Sequence, residues 1–133
     1  MTLSEENRIV IIENNIQKSY QSIKDAEILL KSEGFNGALN RIYYSIFYIL
    51  SALAIKFNYK TSKHTQLIGW FNKNFVKNHK VDMKIGKLVQ KAFDQRMEGD
   101  YDVLSEFCFD ETKEALADAK EIIRVVRDII RIH

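Results

Sequence analysis

Apolar residues recur at spacings of three and four along most of the chain, the signature of amphipathic helices. Ile9, Ile12, Ile16, Tyr20, Ile23, Ala26 and Leu30 form the first such stripe. Leu3 precedes Ser4, and Glu5 and Glu6 follow it, so Ser4 is the expected N-cap, with the two acids at the positive end of the helix dipole. This helix is expected to end near Gly34. A second helix, from about residue 36 to 57, is apolar nearly all round its later turns, which predicts a central position with neighbours on several sides. Residues 58–63 are polar and predict a loop. Ser62 is the expected cap of a third helix carrying Leu67, Ile68, Phe71 and Phe75 on one side. After a turn over residues 77–81, a fourth helix from about Asp82 bears Ile85, Leu88, Val89, Ala92 and Phe93, and should end between Arg96 and Gly99; Gly86 weakens its interior. Residues 98–109 mix acids with aromatics and have neither helical nor strand periodicity. Asp110 is the expected cap of a last helix with Ala115, Ala119, Ile122, Val126 and Ile129 on one face, running essentially to the C-terminus.

Composition sharpens this to an all-α fold. The 133 residues include no proline and only five glycines, so the backbone is rarely asked to break. No repeat, low-complexity tract or linker divides them. The expectation is one domain over residues 1–133, an antiparallel up-and-down bundle of four long helices and one shorter helix. A net charge of +2 gives no strong overall field, so any basic surface must be local. The single cysteine, Cys108, cannot form an intramolecular disulfide, and MTLSEENRIV lacks a basic segment followed by an apolar run; both suit a cytoplasmic protein. The most apolar stretch, residues 42–55, is interrupted by Ser45 and Ser51 and falls short of the roughly 20 residues that span a bilayer. A buried helix, not a membrane segment, is expected there.

Two strings are candidates for chemistry. In the first, Asn40-Arg41-Ile42-Tyr43-Tyr44-Ser45-Ile46-Phe47-Tyr48, helical spacing puts Asn40, Tyr43, Tyr44 and Phe47 on one side. The tyrosines suit an aromatic core with hydrogen-bonded tips; Asn40 and Arg41, an amide and a planar cation at a core edge, suit either that or a phosphate. The second string, Phe93-Asp94-Gln95-Arg96-Met97-Glu98-Gly99-Asp100-Tyr101-Asp102, gathers one guanidinium with several carboxylates. Arg96 either pairs with Asp100 or Glu98 to fix the loop, or holds a phosphate that gains charge during transfer, with Tyr101 supplying a hydroxyl. Lys63 and His64 open the third helix, where free N–H groups favour anions. His79 and His133 have weaker claims. No zinc or calcium ligand spacing, GxxxxGK[ST] or GxGxxG string occurs, so neither a metal nor a cofactor is expected.

The order Ala38-Leu39-Asn40-Arg41-Ile42-Tyr43-Tyr44-Ser45-Ile46-Phe47, then Lys63-His64, Phe75-Val76-Lys77, Asp94-Gln95-Arg96 and Asp100-Tyr101 resembles small prokaryotic HEPN-domain proteins across nearly the whole chain. The resemblance implies an up-and-down bundle that dimerises and is often encoded beside a minimal nucleotidyltransferase in toxin–antitoxin or defence modules. An aliphatic excess in the last helix, continuing to Ile129 and Ile130, points the same way. Many HEPN proteins are metal-independent ribonucleases whose motif is R-x4-6-H. Here Arg96 matches the arginine, but the histidine positions hold Tyr101, Asp102 and Val103. Tyrosine, with a pKa of about 10, is a poor base near neutrality. The expectation is therefore a nucleotide- or RNA-binding interaction module; the alternatives are a ribonuclease with a degenerate motif and a purely structural dimerisation bundle. Arg96, Tyr101 and His64 are the candidate catalytic residues, and Asn40, Arg41, Lys63 and Asp100 the candidate ligands for nucleotide or RNA.

Overall fold

A computed structural model describes residues 4–102 and 106–132. Helices take up 83% of those residues, and no strand occurs among them. The long elements are α1 (Glu5–Lys31), α2 (Phe35–Lys56), α4 (Met83–Tyr101) and α5 (Phe109–Ile132); the short one is α3 (His64–Phe71), which runs into a π-helical turn over Asn72–Val76. Leu3, Val103 and His133, each considered above, lie outside the described residues.

Cross-contacts give the directions. Ser19 Oγ donates to the Ser45 carbonyl at 2.7 Å and Arg8 reaches Asn58, so α1 and α2 are antiparallel. Asn40 meets Asp100 and Arg96 meets Tyr44, which makes α4 antiparallel to α2. Phe35 meets Phe109 and Lys56 reaches the Ile130 carbonyl, so α5 runs parallel to α2 and therefore antiparallel to both α1 and α4. The result is the expected up-and-down bundle. At its centre α2 buries residues on all sides, among them Leu39, Ile42, Tyr43, Ile46, Ile49, Leu50 and Leu53. By length and composition α2 is apolar enough to cross a membrane, yet 67% of its most apolar window is buried in the bundle, as in a core helix.

Local signals explain most boundaries and correct three. Ser4 accepts from Asn7 N at 3.2 Å and Asp82 from Lys84 N at 2.9 Å, both as N-caps. Ser62, however, caps nothing: Lys63 is the N-cap of α3 and no side chain caps the helix, while Thr61 Oγ1 accepts the Lys63 N–H at 3.1 Å in the loop before it. Helix α4 continues past Gly99 to Tyr101, because Asp100 is tied both to Asn40 on α2 and, one turn back, to Arg96. Asp110 lies inside the first turn of α5 instead of capping it. At that end Glu111 accepts from the Cys108 N–H at 3.4 Å, and Thr112 Oγ1 donates to the Cys108 carbonyl at 2.8 Å, which fastens the start two residues earlier than expected. Ile130 is buried in the core and Ile129 packs against it, so the aliphatic end of α5 serves this chain's own interior.

Candidate functional site

Arg96 is carried on α4 one helical turn before Asp100, and α4 lies against the aromatic stripe of α2. Its guanidinium carbon stands 5.7 Å from the Tyr43 ring, 5.6 Å from Tyr44 and 5.5 Å from Tyr101. Three quadrupoles of that kind favour a cation, more so where it is partly desolvated. Hydrogen bonding is much weaker. Nη2 reaches Tyr44 Oη at 3.5 Å, which is long, and Nη1 reaches Met97 Sδ, a weak acceptor, at 3.4 Å. Nε is 3.0 Å from Asp100 Oδ2, but the buried N–H does not point along that line and makes no hydrogen bond, so the contact is an off-axis ion pair.

Asp100 is shared. The same Oδ2 accepts from Asn40 Nδ2 at 2.9 Å, and Asn40 Oδ1 in turn accepts from Arg41 Nε at 3.2 Å and Nη2 at 3.0 Å. Arg41 lies over Tyr44 at 4.9 Å. Two guanidiniums therefore border one carboxylate and one amide around the face of Tyr44, leaving the cluster net positive.

His64, at the first turn of α3, stacks on Phe47 with ring centroids 4.3 Å apart and planes within 19°. Its Nδ1 is 2.7 Å from Tyr43 Oη, and Tyr44 meets its ring edge-on at 5.7 Å. Burial first, and then the Arg96 guanidinium, hold the imidazole below its ordinary 6.5, so it is neutral at pH 7. Tyr43 is pushed well above the ordinary phenol range, chiefly by burial, with Arg96 opposing the shift and Tyr44 adding to it. It stays a phenol. Either ring tautomer satisfies the 2.7 Å contact: a donating phenol leaves Nε2 as a donor, whereas an accepting phenol leaves Nε2 as a base.

The structure thus gathers Arg96, His64, Tyr101, Asp100, Asn40 and Arg41 around the tyrosine pair. Lys63 is apart from them in its contacts: its side chain is exposed and its described hydrogen bonds are backbone ones, to Thr61 and from Leu67. Tyr101 covers the guanidinium yet is 66% exposed, so the cluster opens to solvent beside it. Tyr43, treated above as core, is both core and the link between His64 and Arg96. Its partner is 21 positions away, and only its place in the same aromatic string hinted at the role. Among the described residues no three His, Cys, Asp or Glu side chains converge as metal ligands would.

The HEPN domain family model matches residues 12–129, from the middle of α1 to the end of α5. The chain belongs to the HEPN family. A "UPF0332 protein" of Thermotoga maritima is 36% identical to this HEPN chain over 120 residues, covering 90% of it and 91% of the relative. Two proteins of Methanocaldococcus jannaschii bear the name "Putative toxin"; one is 33% identical over 71% of this chain and 65% of its own length, the other 28% identical over 65% and 64%. A toxin–antitoxin-like setting fits both the HEPN domain and those names.

Proposed function

We propose that this HEPN chain is a nucleotide- or RNA-binding module that acts in the cytoplasm as a homodimer, together with a minimal nucleotidyltransferase in a toxin–antitoxin-like or defence pair. The observation that carries the binding reading is the under-used guanidinium of Arg96. It is held by three tyrosine faces, its N–H groups make only weak, long or off-axis contacts, and it opens to solvent past Tyr101. A phosphate offers two oxygens in the plane of that fork and forms shorter, charge-assisted bonds than a phenol or a thioether. Asp100 and Asn40 set the orientation of the arginine, and Arg41 adds a second cation at the same ring.

The adjacency of His64 to the field of Arg96 favours a second reading, a metal-independent endoribonuclease. A neutral imidazole beside a phosphate-binding arginine can take a proton from a 2′-hydroxyl, the task for which Tyr101, Asp102 and Val103 are unsuited. Both readings are separated by measuring binding and cleavage of an RNA panel and of nucleotides in EDTA, using wild type, Arg96→Ala, Tyr101→Phe and His64→Ala of matched stability. Arg96→Ala is expected to weaken binding about tenfold or more, the worth of charge-assisted bonds of roughly 1.5–3 kcal/mol. Binding without cleavage supports the module. Cleavage lost in both the Arg96 and His64 variants supports the ribonuclease. If Arg96→Ala changes neither binding nor cleavage, the site is wrong; if it and Asn40→Ala disrupt only assembly, a purely structural bundle gains. Co-purification with the product of a neighbouring nucleotidyltransferase frame tests the pairing, and its failure removes that part of the proposal.

A further inference from the structure

Acidic residues are absent from one long stretch of the sequence. Residues 34–81 hold seven Lys or Arg and no Asp or Glu, so the rest of the chain, with all 18 acids and 13 cations, is net −5 although the whole is +2. Two of the seven are already engaged in side-chain hydrogen bonds: Arg41 to Asn40 Oδ1, and Lys56 to the Ile130 carbonyl at the end of α5. The other five, Lys60, Lys63, Lys73, Lys77 and Lys80, fall on the loop before α3, on the π-helical turn and on the turn that leads to α4. All five are exposed, and none is ion-paired among the described residues. The contrast with α4 is direct, because Lys91 faces Glu114 and Lys84 lies in the field of Asp118 and Glu121.

An aromatic ring underlies one of these cations, and a second aromatic pair lies in the same segment. Tyr59 and Trp70 stack at 5.1 Å with planes 4° apart, and the Lys80 ammonium sits 5.3 Å from the Phe75 ring centre. The segment is anchored by Phe71 and Phe75 in the core, so its lysines ride on a fixed base. At its start, Lys63 immediately precedes His64, so the stretch adjoins the Arg96 cluster in sequence.

We propose that the lysines of the acid-free stretch from Lys60 to Lys80 form an RNA-backbone track, distinct from the Arg96 cluster and feeding it. The inference rests on the RNA reading above and gives that reading a substrate class, a single-stranded RNA longer than the one or two nucleotides that the Arg96 cluster can cover. Mobile lysines spaced along a surface meet a chain of phosphates without reading bases. Unpaired carboxylates, which would repel such a chain, are missing from this stretch and plentiful elsewhere. Binding then releases counterions, so affinity falls with salt by a slope of about 0.7 per phosphate contact on a single strand.

The test compares fluorescence anisotropy of a labelled single-stranded RNA over a salt series for wild type, the triple variant Lys73→Gln/Lys77→Gln/Lys80→Gln, the double variant Lys60→Gln/Lys63→Gln, and a control triple Lys24→Gln/Lys113→Gln/Lys120→Gln. The control makes the same charge change on α1 and α5. The first triple is expected to lower affinity roughly tenfold or more near 0.1 M salt and to reduce the slope by about 2, equally for different sequences. The double variant acts likewise in proportion, and it serves if the triple fails to fold. An equal effect of the control, an unchanged slope, or no RNA binding by wild type at low salt overturns the track. So does lysine-dependent binding to polyglutamate without binding to RNA, which identifies an acidic protein as the partner. Arg96→Ala separates the two readings: loss there with an unchanged lysine dependence leaves both standing, whereas loss in the lysine variants alone refutes only the Arg96 cluster.

Discussion

His64 is stabilised in the neutral form by its surroundings, and that has a sign in stability. Its native pKa lies below the 6.5 of an unfolded chain, so between those values the unfolded state binds more protons and stability drops as pH falls. The contribution is complete above 6.5 and lost once pH has passed beneath the native value. Urea midpoints measured from pH 7.5 down to 5 are expected to fall more steeply in wild type than in His64→Gln, and parallel curves would contradict this. NMR titration of the ring in Arg96→Gln is expected to give a value above the wild type but still below 6.5, because burial is the larger cause and remains. The same residues show what the sequence discloses at this scale. Arg96 and Asp100 are one turn apart, and that pairing was legible from spacing alone. The joining of Tyr43 to His64 was not, since it depends on how α3 is laid across α2 after a loop whose path no local pattern specifies.

Among the elements, α4 is held to the π-helical turn by a close approach at Gly86. A Cβ there would stand 3.1 Å from both Cγ atoms of Val76 and 3.2 Å from Asn72 Oδ1, and Val76, β-branched and part of the turn, has little freedom to retreat. Gly69 in α3 is the counterexample, with nothing within 4 Å of the added carbon. Both positions gain about 1 kcal/mol of helix propensity on substitution by alanine, but overpacking costs roughly 1–3 kcal/mol where neighbours are fixed. Gly69→Ala is therefore expected to raise Tm by a few degrees and Gly86→Ala to lower it. Thermal melts followed by circular dichroism decide the matter, and a stabilising Gly86→Ala would mean that the turn yields easily. Gly86 was read from the sequence as a weak point in a helix, whereas in the fold it is the place where two segments meet. The five helices themselves followed from three-and-four spacing, and Ser4 and Asp82 cap as their chemistry suggests. The starts of α3 and α5 did not follow, because α3 begins after Lys63 with no side-chain cap and because Thr112 and Glu111 act backwards on Cys108. The π-helical turn has no periodic signature at all, being one extra residue inside a helical run.

At the scale of the whole molecule, charge segregation was visible in the sequence as a run without acids, but the net value of +2 concealed it. Its meaning needed the fold, which pairs Lys84 and Lys91 with α5 and leaves the lysines from 60 to 80 unopposed. The fold also changes the argument for assembly. The aliphatic end of α5 was taken as surplus for a dimer, yet Ile130 is only 6% exposed and the buried apolar residues form one cluster contributed by all five helices. A chain that closes its own interior does not need a partner to fold. The homodimer we propose must then join two folded chains, unlike obligate dimers, whose unfolding is inseparable from dissociation. Light scattering is expected to report twice the 15.6 kDa chain mass at high micromolar concentration and to fall toward the single mass on dilution. Circular dichroism over the same dilution is expected to remain unchanged, with a thermal midpoint that depends only weakly on concentration. A single mass at high micromolar concentration would refute the dimer. Loss of helicity in step with loss of mass would refute the independent core, and would place part of the interior between chains instead of within one.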